Sequence, residues 1–292
     1  MATAREIRRR IRSVKNVAQI TRAVQMVASS KMRRAQERVV ASRPYSDELM
    51  RLVARLAKQA SEEEDLPLMK SRPVRRVGVV VISPDRGLSG GLPGNINRRV
   101  AQLATDLRRE AGNSSLPISY VAVGRRGRDF LARTQQPLIA EFTNLGDQPA
   151  QADVRAIART VSDAYIEGDV DRVLLVYPKF VSTVVQTPTV IQLLPVEPPE
   201  EAEASGPTPQ YIYEPNAAEI FEALLPRYIE TLIYEPLLEN VASFYSAQMV
   251  AMRNATDNAN DLLDDLTLTY NKARQGAITT QILEIVAGSG AL

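Results

Sequence analysis

NAAEIFEALLPRYIETLIYEPLLENVASFYSAQMVAMRNATDNANDLLDDLTLTYNKARQGAITTQILEIVA (216–287) decides the fold. It has no glycine between Asn216 and Arg274, and its only prolines are Pro226 and Pro236. Apolar and small residues recur three or four apart: Val241, Tyr245, Met249, Met252, Ala255, Ala259, Leu262, Leu266, Tyr270, Ala273 and Ala277. That spacing keeps one stripe on one helix face and approaches a heptad. At 1.5 Å per residue, roughly 70 residues make a rod of about 105 Å. Globular helices average about three turns, so a rod this long with one narrow seam needs a partner helix.

The partner lies at the other end of the chain. From Thr3 to Lys58 the sequence again reads helical, with Ile7, Ile11, Val14, Ala18, Val24, Val27 and Ala35 on one stripe, kinked or divided at Pro44. Residues 1–58 carry about 15 Lys/Arg against 4 Asp/Glu, and residues 210–292 about 4 against 11. A basic and an acidic helix with matching seams predict an antiparallel intramolecular coiled coil, with charge helping to set the pairing. With Lys58 beside Asn216, Arg5 falls near Thr269. The chain beyond about Tyr270 then projects roughly 25–30 Å with nothing to cover it. A bare apolar tip is a liability in water unless something encloses it.

Between the rods, Ser61–Arg76 reads as a linker. Val77–Ser83 reads as a buried strand and leads into a loop with Gly87, Gly90, Gly91 and Gly94. Asn95 is placed to cap the helix that follows. Further strands are expected at Ile118–Val123, Pro137–Phe142, Arg172–Tyr177 and Thr183–Leu194, the last two hairpinned across PKFVS. Helices are expected at Gly124–Arg133 and Ala152–Ile166, and Val196–Gln210 reads as a mobile surface loop. The fold class is therefore α/β, with a mainly parallel sheet inserted between two coiled-coil halves. The division is 1–60 helix, 61–75 linker, 76–210 α/β domain, 211–292 helix.

Composition narrows the chemistry. The 292 residues hold no Cys, no His and no Trp, and the net charge is +2. No disulfide framework is possible, and the commonest general base and metal ligand is missing. The glycine loop after the first strand is the one nucleotide-like feature, but GLSGGLPG fits neither G-x-G-x-x-G nor the P-loop. Asp85 and Arg86 are expected to pair locally. Asp257, Asp261 and Asp264 share a helix face with Asp265 beside them, and read as a solvated flank rather than a metal site. REIRRRIRSVK reads as a coiled-coil flank, with nucleic-acid or membrane binding as the competing reading.

Several blocks, in order, carry a resemblance: IRSVKNVAQITRAVQMVASSKMRRAQ (11–36), PDRGLSGG (84–91), YPKFVSTVVQTPTVIQLLP (177–195), YIYEP (211–215) and MRNATDNANDLLDDLTLTYNKARQGAITTQILEI (252–285). Together they span essentially the whole chain. The sequence resembles the γ subunits of rotary ATP synthases of the bacterial type. That resemblance implies a long antiparallel coiled coil with an inserted Rossmann-like domain, acting as a central rotor shaft without catalytic residues, cofactor or metal of its own. It implies α, β, ε and δ subunits and a ring of c subunits as partners, no nucleic acid, and a peripheral place on the cytoplasmic face of the plasma membrane.

By matching position it implies contacts of Arg274, Gln275 and Thr279 with β-subunit loops, and an apolar bearing of Ile278, Ile282, Ile285 and Val286. Arg8, Arg9, Lys15 and Arg33 are weaker contact candidates. The alternative reading is a nucleotide-dependent enzyme on the α/β domain, dimerising through its helices. The chain departs from the family at Ser89, often Cys, and at Val24, often Met. SFYSAQM sets Phe244, Tyr245 and Gln248 where Glu, His and Arg are usual, which implies a neutral substitute for those charges. The redox insertion with two cysteines is missing.

Overall fold

The computed structural model describes residues 3–59, 66–197 and 216–289. In chain order these form α1 Ala4–Gln59, β1 Val77–Ile82, α2 Leu92–Glu110, β2 Ile118–Val123, α3 Arg125–Arg133, β3 Leu138–Phe142, α4 Gln151–Ile166, β4 Arg172–Phe180, β5 Gln186–Leu194 and α5 Ala217–Ser289. They group into two compact units, Met1–Ser29 with Gln248–Leu292, and Ser30–Ala247.

In the first unit two helices meet along a heptad seam. On α1 the seam runs through Ala4, Ile7, Ile11, Val14, Ala18, Thr21, Gln25 and Ala28, with Val24 also partly covered. On α5 it runs through Met252, Thr256, Ala259, Leu263, Leu266, Tyr270 and Ala273, with Met249 and Ala255 also partly covered. Both stripes alternate steps of three and four, the 3.5-residue period of a coiled coil. Two expected seam residues lie elsewhere: Val27 and Leu262 are about half exposed, and Ala28 and Leu263 take their places. The period set by Ile7, Ile11, Val14 and Ala18 reaches Ala28; Val24 is partly covered beside Gln25, whereas Val27 falls outside the seam.

The register also moves. The expected alignment sets Thr21 beside Arg253, but the Thr21 hydroxyl meets that of Thr256 at 2.7 Å, just under one turn away. Among the described residues no ion pair joins the two helices of this unit. Small side chains and one hydroxyl pair mark the seam, and the opposite charges point outward.

The second unit is built on a five-stranded sheet of order β3-β2-β1-β4-β5. Strands β1 to β4 are parallel, and β5 is antiparallel to β4. β1 is buried at every position, as its unbroken apolar run requires. The core joins α4, the sheet, the later part of α1 and the first part of α5, with Val53, Leu56, Tyr165, Leu193, Phe221, Ile229 and Ile233 buried. Within this unit Lys31 reaches Tyr245, and Met50 shares a cavity with Tyr228. Position rises on α1 as it falls on α5, so the helices run antiparallel.

Of the two expectations for Pro44, division is excluded, since α1 runs through it as one helix. Three other local expectations are corrected. Asn95 lies inside α2, which starts at Leu92 with Pro93 in its first turn and Gly91 as an N-cap without a side-chain bond; proline is preorganised for that first turn. The β4–β5 turn is 181–185, because PKF belongs to β4. Pairing of β4 with β1 ends at Val176, so the missing N–H of Pro178 costs that ladder nothing. Pro178 faces Pro188 across the hairpin. Finally, Arg86 pairs with Asp147 rather than Asp85. The expected loop at Val196–Gln210 lies outside the described residues from position 198 on, as does YIYEP. Of the expected linker, residues 61–65 are likewise outside, and Leu68 is buried with its carbonyl accepting the Val196 N–H.

Candidate partner-contact surfaces and the Asp147 latch

The seam of the first unit stops at Ala273, and from Arg274 to Val286 every residue of α5 is exposed. Ile278, Ile282, Leu283, Ile285 and Val286 are between 47% and 71% exposed. Gln275, Thr279, Ile282 and Val286 fall four, three and four apart, so they share one face. Arg274, Ile278 and Ile285 lie along its edge. The Thr279 hydroxyl is turned back on the Gln275 carbonyl at 3.0 Å, a local bond that an incoming partner can replace. Arg8, Arg9, Lys15 and Arg33 are all exposed on α1, and Arg33 lies 3.3 Å from Glu37 on its own helix. These residues are brought onto open surface, not into a pocket.

Asp257, Asp261, Asp264 and Asp265 are exposed. Among the described residues no group of three or more His, Cys, Asp or Glu is placed to hold a metal.

In the second unit the loops at the carboxyl ends of β1, β2 and β3 converge, where doubly wound folds commonly receive ligands. Here the chain fills its own donors. The Arg125 N–H donates to Asp85 Oδ1 at 2.9 Å and the Gly127 N–H to Ser83 Oγ at 2.7 Å. The Arg126 N–H donates to the Pro84 carbonyl. The first turn of α3, which would otherwise attract an anion, is closed by the β1–α2 loop. Gly124, at φ 97°, lets the strands approach that closely; a Cβ there would stand 1.9 Å from the Ser83 carbonyl oxygen.

Beside this loop sits a polar latch. Asp147 Oδ2 accepts from Lys31 Nζ at 2.7 Å, and Arg86 donates to Oδ1. Arg38 Nη1 donates to the Asp147 carbonyl at 2.9 Å. The Tyr245 hydroxyl accepts from Arg86 Nη2 at 3.0 Å and from Lys31 Nζ at 3.1 Å. Phe244 and Tyr245 meet edge to face at 5.0 Å, and the Arg86 guanidinium lies over both rings. Burial pushes the Asp147 carboxyl up, but bonds from Lys31 and Tyr245 and the nearby Arg86 charge outweigh it and hold it below its ordinary range. Burial pushes Tyr245 up, keeping the phenol neutral.

Thus α1, the β1–α2 loop, the β3–α4 loop and α5 are joined at one carboxylate. Sequence reasoning singled out Phe244 and Tyr245 as departures and Arg86 as a local partner, but missed Asp147, which has no motif around it. Ser89 is buried, and its hydroxyl finds no partner among the described residues.

An α/β unit inserted in the sequence between two very long helices is the organisation of a helical stalk protein. Comparison with known proteins is specific about which. The ATP synthase family model matches residues 3–292. The ATP synthase gamma chain of Dehalococcoides mccartyi strain 195 is 48% identical, covering 100% of both chains. That of Roseiflexus castenholzii is 47% identical over 100% of this chain and 99% of its own. The chain belongs to the ATP synthase gamma-chain family, that of the central-stalk subunit. Two cryo-EM structures share its fold. A chain of the Euglena gracilis mitochondrial ATP synthase has a TM-score of 0.64 at 20% identity, over 99% of this chain and 94% of its own. A chain of the Tetrahymena thermophila central stalk and c-ring has 0.58 at 24%, over 81% and 99%.

Proposed function

We propose that this chain turns as the shaft of a proton-translocating ATP synthase, carrying rotation from a membrane ring of c subunits to catalytic sites on α and β subunits. The observation that carries this reading is the bare end of α5. A helix that leaves its partner at Ala273 and exposes five large apolar residues beyond it is suited to a sleeve supplied by other chains. The shaft has no catalytic role; it acts by presenting different contacts to sites in different states. Arg274, Gln275 and Thr279 meet β-subunit loops: Arg offers a fixed fork of donors to carboxylates, and Gln and Thr add neutral bonds. Ile278, Ile282, Ile285 and Val286 form the bearing, and Arg8, Arg9, Lys15 and Arg33 meet acidic loops of the ring around the shaft. The shaft works at the cytoplasmic face of the plasma membrane and is held there by the complex. No described helix is long and apolar enough to cross a membrane.

The test is the double substitution Arg274→Ala, Gln275→Ala in the assembled complex. Assembly is retained and ATP-driven proton pumping falls. Pumping equal to wild type removes these contacts from the mechanism. The purified chain alone hydrolyses no ATP.

A further inference from the structure

A cavity of about 440 Å³ opens in the second unit between β4, β5 and α5, far along α5 from the bare tip. Glu235 and Glu239, one helical turn apart, line it together with Tyr177 and Tyr228. Like charges at this spacing repel. Yet among the described residues no cation lies within ion-pair distance of either carboxylate. Glu239 Oε2 has one donor, the Phe180 N–H at 2.9 Å; Lys179 and Arg43 act on it only from further away.

The tyrosines supply a second, independent observation. Tyr177 and Tyr228 are 7% and 4% exposed, and neither hydroxyl has a hydrogen-bond partner among the described residues. The rings are buried, but neither hydroxyl oxygen is among the fully buried unpaired atoms, so both are open toward the cavity and available to a ligand. Burial, with the nearby charges of Glu239 and Glu235, pushes the Tyr177 hydroxyl up to about 12. Burial likewise holds the Glu239 carboxyl above its ordinary range.

Lys179 and Arg43 are the nearby cations and neither closes an ion pair with these carboxylates, and the chain that follows adds none. From Phe180 to Pro226 there is no lysine or arginine, whereas Glu197, Glu200, Glu201, Glu203, Glu214, Glu219 and Glu222 all fall there. A metal ion is a poorer fit, since among the described residues no group of three or more His, Cys, Asp or Glu is placed to hold one. Paired carboxylates beside aromatic rings and free hydroxyls suit an ammonium or guanidinium group.

We propose that this cavity is a socket for a lysine or arginine side chain of a neighbouring subunit, held between Glu235 and Glu239 with the Tyr177 and Tyr228 hydroxyls as further acceptors. The socket is independent of the tip contacts; it requires only that the chain be part of an assembly.

The full chain alone and the assembled complex are treated with a water-soluble carbodiimide and glycine ethyl ester, and labelling of Glu235 and Glu239 is read by peptide mass spectrometry. Labelling about tenfold lower in the complex is expected, and equal labelling overturns the socket. A parallel arm adds spermine to the chain alone. Protection by spermine with none in the complex assigns the cavity to a small polyamine and overturns the docking proposal. The pair Glu235→Gln, Glu239→Gln keeps shape and removes charge. Native mass spectrometry of that complex over a salt series is expected to show one subunit retained about tenfold more weakly. Retention identical to wild type overturns the proposal even if labelling is lower in the complex, because cover alone would then explain protection.

Discussion

Thr21 and Thr256 face each other across the helix pair with their hydroxyls 2.7 Å apart. Each also lies within bonding distance of its own backbone, Thr21 of the Ala18 carbonyl and Thr256 of Met252. One hydroxyl proton goes across the seam and the other can go back to the helix. Thr21→Val leaves Thr256 without its cross-seam partner, and Thr256→Val does the converse. Each is expected to cost about 1 kcal/mol, and the double variant less than the two together, because an apolar pair of the same shape leaves no polar group stranded. A double-mutant cycle on thermal unfolding measures this; strict additivity would show that the contact carries no coupling.

The latch has a pH signature. The Asp147 pKa is depressed in the folded chain, so its contribution is present above the ordinary carboxylate range and is lost as pH falls through the depressed value. Asp147→Asn is expected to cost about 1 kcal/mol at neutral pH, discounted for the carboxylate's partial exposure. The gap to wild type should close below about pH 4. Unfolding midpoints from pH 7 to 3 test this, and a gap independent of pH would assign the loss to packing.

Glu239 has the opposite sign. Its pKa is raised by burial, so its contribution is greatest at low pH and is lost as pH rises through the raised value. Glu239→Gln in the isolated chain keeps an acceptor for the Phe180 N–H and removes the buried charge. It should raise the unfolding midpoint at pH 8 by a few degrees, about 1 kcal/mol, with little gain at pH 4. Lower stability at pH 8 would show that the carboxylate has a favourable partner.

Ser89 offers a gain. Its buried hydroxyl lacks a partner among the described residues, and a thiol is a small hydrophobe that tolerates such a site. Ser89→Cys is expected to stabilise by about 1 kcal/mol. Chemical denaturation checks this, and a destabilised variant would mean that the hydroxyl is satisfied.

Gly124→Ala tests the closure of the β1–α2 loop. The new Cβ meets the Ser83 carbonyl at 1.9 Å on a backbone of φ 97°. A loss of about 3 kcal/mol or more is expected, and near-native stability would show that the loop can open.

Much of this architecture was legible because its signals are long and periodic. Helical spacing sustained over 56 and 73 residues announces α1 and α5 in spite of their prolines, and VGVVVI can be little but a buried strand. The seam was legible only where it is greasy. Thr21, Gln25 and Ala28 occupy heptad positions without being strongly apolar, so Val27 was read in place of Ala28; the register, set by matching Lys58 to Asn216, came out three residues short. The latch was illegible for another reason. Lys31, Arg86, Asp147 and Tyr245 come from four elements, and nothing local to Asp147 distinguishes it from any loop aspartate. The glutamates of the cavity likewise read as helix surface until β5 is folded against them.

The end of α5 beyond Ala273 bears on how many copies a cell can keep. A surplus chain, made without subunits to receive it, carries five large aliphatic residues into water on a single unsupported helix. Such a helix frays and is cut, or sticks to another of its kind. An unassembled copy would therefore offer a protease its easiest entry at this end, so that excess and vulnerability coincide in one short stretch of helix.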